Sequence, residues 1–128
     1  MKGIEIDRAK RLRDEPHKGH NRWHPDLAPV IEVEPGEEVT LETRDANDLQ
    51  IGPATTVKDL EKLERTVAHP LTGPVYVTGA KLGVLLEIEY LDLVPERATS
   101  SPRARRIQEA LPYGRVMISS RFPAGSWK

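Results

Sequence analysis

Alternating apolar and polar residues on either side of a proline–glycine pair constrain the fold of this chain most. The runs Val30 to Glu34 and Val39 to Thr43 both alternate, and Pro35-Gly36 lies between them. Alternation with a period of two is typical of strands with one buried face and one solvated face. Turn residues between two such runs therefore predict a β-hairpin over residues 30–43.

Further short runs indicate that the whole chain is mainly β. Strands are expected near residues 30–34, 38–44, 75–78 and 84–93. Residues 2–6 alternate and are compatible with a short strand, and the apolar run 116–118 is compatible with another. One short helix is expected over residues 57–64, because Thr56 can cap it and Asp59 stands near the capping-box position. We predict a small β-barrel or β-sandwich with one or two short helices.

Composition limits the classes of function. The 128 residues suit one domain, and 19 basic against 20 acidic residues leave no charge excess. We therefore expect no nucleic-acid partner and no anionic membrane surface. The absence of cysteine excludes disulfides, thiolate metal ligands and a cysteine nucleophile, and it favours a cytoplasmic location. No apolar run resembles a signal peptide or a membrane span.

The segment His20 to Asp26 holds two histidines, an amide, a guanidinium, an indole and a carboxylate. It precedes the first strand of the expected hairpin, so it is predicted to be a loop held by the β scaffold, where binding residues usually lie. We predict that Trp23 is largely buried, with its indole N–H bonded, while His20 and His24 line a concave surface. In the alternative interpretation, Trp23 fills the core and the polar residues cap turns.

Metal binding is a further hypothesis for the histidines. Imidazole and carboxylate groups suit a divalent metal such as zinc, and the residues that could converge on one are His17, His20, His24, His69, Asp26 and Asp45. Pro25 disfavours helical geometry at His24, so the spacing of His20 and His24 is not that of a zinc-protease helix. The sequence leaves the presence and the identity of a metal open.

Other chemistry rests on single residues. The chain has no phosphate-binding glycine loop and no GxSxG nucleophile motif. Thr72 near His69 is a pairing of a hydroxyl with a base, which is the minimal requirement for an activated nucleophile. Asp45 either orients a catalytic histidine or bonds backbone amides at the end of a strand, as aspartates in such clusters commonly do.

Several long motifs together resemble one known family. In order along the chain they are HNRWHPDLAPVIEVEPGEEVTLETRDA from His20, the segment Leu49-Gln50-Ile51, HPLTGPVYVTGA from His69, and LLEIEYLDL from Leu85. Over roughly residues 17–95 the chain resembles the N-terminal part of the acetamidase/formamidase family.

This resemblance implies the hydrolysis of short aliphatic amides, such as formamide and acetamide, to a carboxylate and ammonia. It also implies a β-rich, cytoplasmic, oligomeric protein, and some members of the family carry a divalent ion. The implied catalytic residues are His24, Asp45, His69 and Thr72, and the implied substrate-binding residues are His20, Asn21, Trp23, Gln50 and Gly73.

The chain also departs from the family. The family's GA-acidic-PGD turn is replaced by Gly79-Ala80-Lys81-Leu82-Gly83, and family members run to several hundred residues. We expect residues 1–95 to form an acetamidase/formamidase-like N-terminal β domain, and residues 96–128 to form a divergent linker and tail. We also expect a small amide as substrate and either a homo-oligomer or a missing C-terminal domain or subunit as partner.

Three functions follow from these expectations. The first is an amide hydrolase, or the N-terminal portion of one that has little activity alone. The second is a truncated, non-enzymatic relative that acts as a binding or oligomerisation module. The third is a metal-binding protein that uses the histidines.

Overall fold

A computed structural model of the chain describes residues 1–52, 54–95 and 114–122. Its strands are β1 Lys2–Ile4, β2 Gly19–His20, β3 Ile31–Val33, β4 Glu38–Thr43, β5 Leu71–Thr72, β6 Val75–Val77, β7 Glu87–Pro95 and β8 Gly114–Arg121. Helical structure in the described ranges comprises helix α1, Val57–Leu60, and 3₁₀ turns at Leu12–Asp14, Pro16–Lys18 and Arg65–Val67. The predicted mainly β class is confirmed. No helix in the described ranges is long and apolar enough to cross a membrane.

The strands form three open sheets. The largest has the order β1-β4-β8-β7, in which β1 is parallel to β4 while β8 is antiparallel to both of its neighbours. The other two sheets are the antiparallel pair of β2 with β5 and the parallel pair of β3 with β6. The strands of the described ranges do not close into a barrel.

The predicted hairpin over residues 30–43 is wrong, although both of its strands exist. Strand β3 pairs with β6, and β4 pairs with β1 and β8. The Glu37 amide donates to the Glu34 carbonyl at 3.0 Å, and Gly36 follows Pro35 with a φ of 88°. These are features of a type II turn, whose twist splays its flanking strands instead of pairing them. The two strands therefore enter different sheets.

Strand β8 lies between β4 and β7 in the largest sheet, and it contains the possible strand at residues 116–118. It comes after the domain boundary predicted at residue 95, and that boundary stays a prediction. Residues 96–113 and 123–128 of the predicted linker and tail lie outside the described residues.

The core joins the largest sheet to the pair of β3 with β6. Its centre consists of Val33, Val39 and Val77, which are 1%, 2% and 6% exposed. The partly buried residues packed around this centre are Ile31, Leu41, Val75, Ala80, Leu86, Ile118 and Phe122. The centre of the core is thus built from β-branched side chains on strands, as the alternation predicts. Ala80, Leu86 and Phe122 pack against it from outside the strands.

Helix α1 is shorter than the predicted 57–64. The Asp59 carboxylate accepts hydrogen bonds from the amide and the hydroxyl of Thr56, at 2.9 and 2.6 Å, so the expected cap is present. Val57 and Leu60 are nevertheless exposed. Because an isolated helix this short needs packing to persist, it ends after about one turn.

A buried ion pair holds residues 7–18, which precede the His20 to Asp26 loop, against the end of β4. Glu15 is 5% exposed and Arg44 is 7% exposed, and an Arg44 Nη2–Glu15 Oε2 contact of 2.6 Å joins them. Lys18 Nζ lies 2.8 Å from Glu15 Oε1, and the Asp7 amide donates to Oε2 at 2.9 Å. Lys18, then the Asp7 amide and then Arg44 lower the pKa of Glu15 to about 2.

Candidate functional site

The pairing of β2 with β5 brings the two histidine segments together. Gly19 lies opposite Thr72, and His20 lies opposite Leu71. A Cβ atom on Gly19 would stand 2.5 Å from the Leu71 carbonyl oxygen, so only glycine allows the two backbones to approach this closely. The Gly73 amide extends the pairing by donating to the Lys18 carbonyl at 3.2 Å.

Two further hydrogen bonds connect these segments to their surroundings. The Asn21 side chain donates to the Thr66 carbonyl at 2.6 Å. The His69 amide donates to the Ala46 carbonyl at 2.7 Å, which attaches the His69 segment to the loop after β4. The implied site residues thus lie in three adjoining loops, although they come from distant parts of the sequence.

Asp45 organises the loop after β4. It is 6% exposed, and its two carboxylate oxygens accept from the amides of Asn47 and Leu49, at 2.9 and 2.7 Å. The structure therefore gives Asp45 the backbone-bonding role that the sequence left as one of two alternatives. Because Ala46 holds the His69 amide, Asp45 also supports His69 indirectly.

Gln50 and Thr72 also bond to the backbone. The Gln50 amide nitrogen donates to the Asn47 and Glu64 carbonyls, and its oxygen accepts from the Glu64 amide at 2.8 Å. The Thr72 hydroxyl donates to the Glu42 carbonyl at 2.6 Å. The proton of Thr72 is thus directed to β4 and not to His69, so the proposed pairing of hydroxyl and base is not formed here.

His69 adopts a backbone conformation that is uncommon for a residue with a side chain. Its φ is 58°, and its side chain is exposed. Histidine tolerates this left-handed region better than most residues, and such conformations cluster at functional sites. Among the implied site residues other than glycine, His69 alone has a positive φ.

Trp23 is 90% exposed, so both interpretations that buried it are wrong. The core is filled by strand valines, and the loop around Trp23 bonds mainly to itself. His20 Nδ1 lies 2.8 Å from the Arg22 carbonyl, and the Asp26 amide donates to His24 Nδ1 at 3.2 Å. The Trp23 ring meets His20 edge-on, with ring centroids 6.4 Å apart.

A surface cleft of about 310 Å³ lies beside the paired histidine segments, and its size falls at the lower end of the range for ligand pockets. Its lining includes Leu12, Leu27 and Val67 as apolar residues and His20, Asn21 and Asp48 as polar ones. The concave surface predicted for His20 is present. His24 does not line this cleft, and its exposed side chain lies 3.8 Å from the Asp26 carboxylate.

Asp48 also lines this cleft, although no sequence motif pointed to it. It is 2% exposed, its carboxylate accepts from the Leu12 amide at 2.8 Å, and its carbonyl accepts from Arg11 Nε at 3.0 Å. Both partners precede it by more than thirty residues, so no local pattern reveals the contact. The cluster of Asp and Asn after β4 was the only available signal.

The metal hypothesis finds no site in the described part of the chain. No group of three or more His, Asp or Glu side chains there is arranged to hold a metal ion. The described residues therefore offer no ligand set for a divalent ion.

Comparisons with known proteins agree on one family. A model of the acetamidase/formamidase family matches residues 5–125. An acetamidase from Mycolicibacterium smegmatis is 38% identical over 99 residues, which cover 77% of this chain and 24% of that relative. A formamidase from Methylophilus methylotrophus is 36% identical over 90 residues, which cover 70% of this chain and 22% of the relative.

A solved structure shares the fold as well as the sequence. The γ-lactamase from Delftia acidovorans superposes with a TM-score of 0.68 at 35% identity. The match covers 75% of this chain and 24% of the lactamase chain. The chain thus spans about a quarter of the length of these three relatives.

Proposed function

Because the chain belongs to the acetamidase/formamidase family, we propose that it forms the N-terminal part of an amide hydrolase. The proposed reaction releases ammonia and a carboxylate from short aliphatic amides such as formamide and acetamide. The observation that carries the proposal is the close pairing of the two family histidine segments through β2 and β5. The names of the acetamidase and formamidase relatives support the choice of substrate class.

Amide hydrolysis needs a base for the attacking water, donors for the oxyanion and an acid for the leaving amine. We assign proton transfer to His69, or to His24 on the neighbouring loop, because both side chains are exposed to an incoming substrate. Asp45 is a positioning residue, since its carboxylate holds the loop that carries the His69 amide.

The sequence places the oxyanion donors among the backbone amides near Thr72 and Gly73. Because the Gly73 amide donates to the Lys18 carbonyl, the proposed donors are the other amides of this segment. The Thr72 hydroxyl donates to Glu42, so Thr72 serves first to fix this segment against β4. His20, Asn21, Trp23 and Gln50 complete the proposed substrate-binding set. Of these, His20 and Asn21 line the cleft. Trp23 is exposed, so it is accessible to a further domain or subunit that covers the site.

The described residues supply one open wall of such a site. Donors act at full strength only where water is excluded, and Trp23 and His24 stand in solvent here. We propose that the remaining part of the family fold, or another subunit, closes the wall, and that the assembly works in the cytoplasm.

A second function is a non-enzymatic binding or oligomerisation module. The observation that favours it is the set of exposed apolar side chains on one face of β7, namely Ile88 at 49%, Tyr90 at 66% and Leu93 at 61% exposure. Such surfaces commonly mark interaction sites.

The experiment that separates the two functions is an ammonia-release assay on purified chain of known mass in solution, with formamide and acetamide, in the presence and absence of added zinc. We expect little turnover from the chain alone and restored turnover in the closed assembly, with loss of activity on His69→Ala. An assembly that forms but releases no ammonia would favour the binding module. Turnover of about 1–1000 per second by the chain alone, abolished by His69→Ala, would contradict the open-wall argument.

A further inference from the structure

The face of the largest sheet that packs on the core loses its cover toward β7. In one row across the sheet, Val39 is 2% exposed, its neighbour Ile118 is half-buried, and the next neighbour Tyr90 is 66% exposed. Directly opposite residues on paired strands share a face, so all three side chains point the same way. The apolar layer therefore continues past the point where the core ends.

A second row repeats the gradient. Leu41 and Val116 are half-buried, whereas Leu93, at the β7 end of the row, is 61% exposed. Ile88, on the same face of β7, is 49% exposed. Ile88, Tyr90 and Leu93 thus form an apolar strip, which we call the β7 strip, on the core side of the sheet.

Strand β7 is also an edge strand, because it ends the order β1-β4-β8-β7 in the described ranges. It spans nine residues, EIEYLDLVP, with no lysine and with its proline at the last position. Natural sheets usually protect long edges with lysine, proline or a covering element. Strand β7 has a bulge between Tyr90 and Asp92, but no element of the described residues covers its edge. Such an edge beside an apolar strip is the arrangement used for adding a partner strand.

The charges of β7 select the kind of partner. Three carboxylates lie on the face opposite the β7 strip, those of Glu87, Glu89 and Asp92. Glu87 forms an ion pair of 2.5 Å with Arg121 on the neighbouring strand β8. A second copy pairing through its own β7 would place carboxylates against carboxylates, which is unfavourable. A strand with apolar residues on one face and basic residues on the other fits the free edge, because its basic face would lie on the same side of the sheet as Glu89 and Asp92.

We propose that the β7 strip and the free edge of β7 bind a strand of this alternating kind, contributed by the part of the acetamidase/formamidase fold that lies outside the region matched by this chain. The inference rests on the proposed function, because the matched relatives extend far beyond the segment that this chain covers. Backbone pairing along β7 supplies affinity, and burial of the β7 strip fixes the register of the added strand.

The test uses the full chain and a defined probe, namely the portion of the Mycolicibacterium smegmatis acetamidase outside its matched region, co-expressed with a purification tag. We expect the probe to capture the chain and to slow amide hydrogen exchange along β7. Tyr90→Lys and Leu93→Lys should each weaken capture about tenfold or more, since a charge would be buried in the new interface. Both positions are exposed in the chain alone, so its unfolding midpoint should stay unchanged.

The matched control is Val57→Lys, which places the same charge on an exposed apolar position of α1, outside the sheet. It should leave capture unchanged. Tyr90→Ser and Leu93→Ser provide a milder pair if either lysine variant misfolds.

Each outcome decides the inference separately from the proposed function. Capture without slowed exchange at β7, capture unaffected by the lysine variants, or no capture of the wild-type chain overturns the inference. A doubled mass of the chain alone that Tyr90→Lys abolishes also overturns it, because the occupant is then a second copy. Ammonia release is measured on the same samples. A complex through β7 without amidase activity refutes the proposed function only, and activity that is insensitive to Tyr90→Lys refutes the inference only.

Discussion

Replacing Glu15 with glutamine should destabilise the chain by an amount that depends on pH. The carboxylate receives three hydrogen bonds, from Arg44, Lys18 and the Asp7 amide, and its side chain is 6% exposed. Glu15→Gln keeps the shape of the side chain but leaves the Arg44 guanidinium, which is 4% exposed, without its anionic partner. Breaking a buried ion pair in this way costs about 3–5 kcal/mol.

The pKa of Glu15 gives a second measure of the same contacts. The shift from 4.5 to about 2 corresponds to about 3 kcal/mol of preference for the ionised form. Lys18 is 30% exposed and partly screened by solvent, so about 2–3 kcal/mol is the more realistic contribution. Because the folded-state pKa is lowered, this stability is fully present above pH 4.5 and is lost as the pH falls toward 2.

The assay is urea unfolding followed by circular dichroism at pH 7 and at pH 2.5, with wild type and Glu15→Gln side by side. We expect Glu15→Gln to lower the free energy of unfolding by about 2–4 kcal/mol at pH 7, and the gap to narrow strongly at pH 2.5. Glu87→Gln is the control, because the Glu87–Arg121 pair is exposed and solvent screening should leave the free energy of unfolding nearly unchanged. Equal effects of the two variants at pH 7, or a gap that does not change with pH, would refute the reasoning.

Three further substitutions test the site. Gly19→Ala should lower the free energy of unfolding in urea by about 1–3 kcal/mol, because its Cβ would stand 2.5 Å from the Leu71 carbonyl oxygen. The control Gly52→Ala has open space around its Cβ and should be neutral. Equal stability of the two variants would show that β2 and β5 approach less closely than described. Trp23→Ala should change stability by less than about 0.5 kcal/mol because the indole is exposed, and a loss of about 3–5 kcal/mol would instead mean that it packs in the core. Thr72→Val should cost about 1 kcal/mol in the same assay through loss of the Glu42 hydrogen bond, while Thr72→Ser retains it; a valine variant as stable as the serine variant would count against that bond.

Local patterns predicted the elements of this fold better than their partners. The alternation at residues 30–34 and 38–44 located β3 and β4, because side-chain period is a property of the strand itself. Their pairing depended on a turn type with φ of 88° at Gly36, and on strands that lie far along the chain. Neither can be read from a hydrophobic pattern.

The candidate site shows the same limit. The motifs identified the two histidine segments, and the structure brings them together through Gly19 and Thr72. Composition suggested that a tryptophan among polar residues is anchored in the core, yet Trp23 is exposed because burial depends on what packs over a loop. Asp48 and the Glu15–Arg44 pair went unnoticed, since each joins residues roughly thirty positions apart.

The central place of β8 imposes an order on synthesis and folding. Val39 of β4 lies opposite Ile118 of β8, and Tyr90 of β7 lies opposite the same residue, so both earlier strands wait for the later one. During synthesis on the ribosome, β4 and β7 emerge before β8, the strand that lies between them in the sheet. They cannot join one sheet until residue 121 has emerged. The pairing of β4 with β8 joins residues far apart in sequence, such as Val39 and Ile118. Such contacts slow folding, because the entropy cost of closing the long loop comes before the favourable contacts form. The four-stranded sheet is therefore completed last, after the pairs of β2 with β5 and of β3 with β6, whose strands have all been synthesised by Val77.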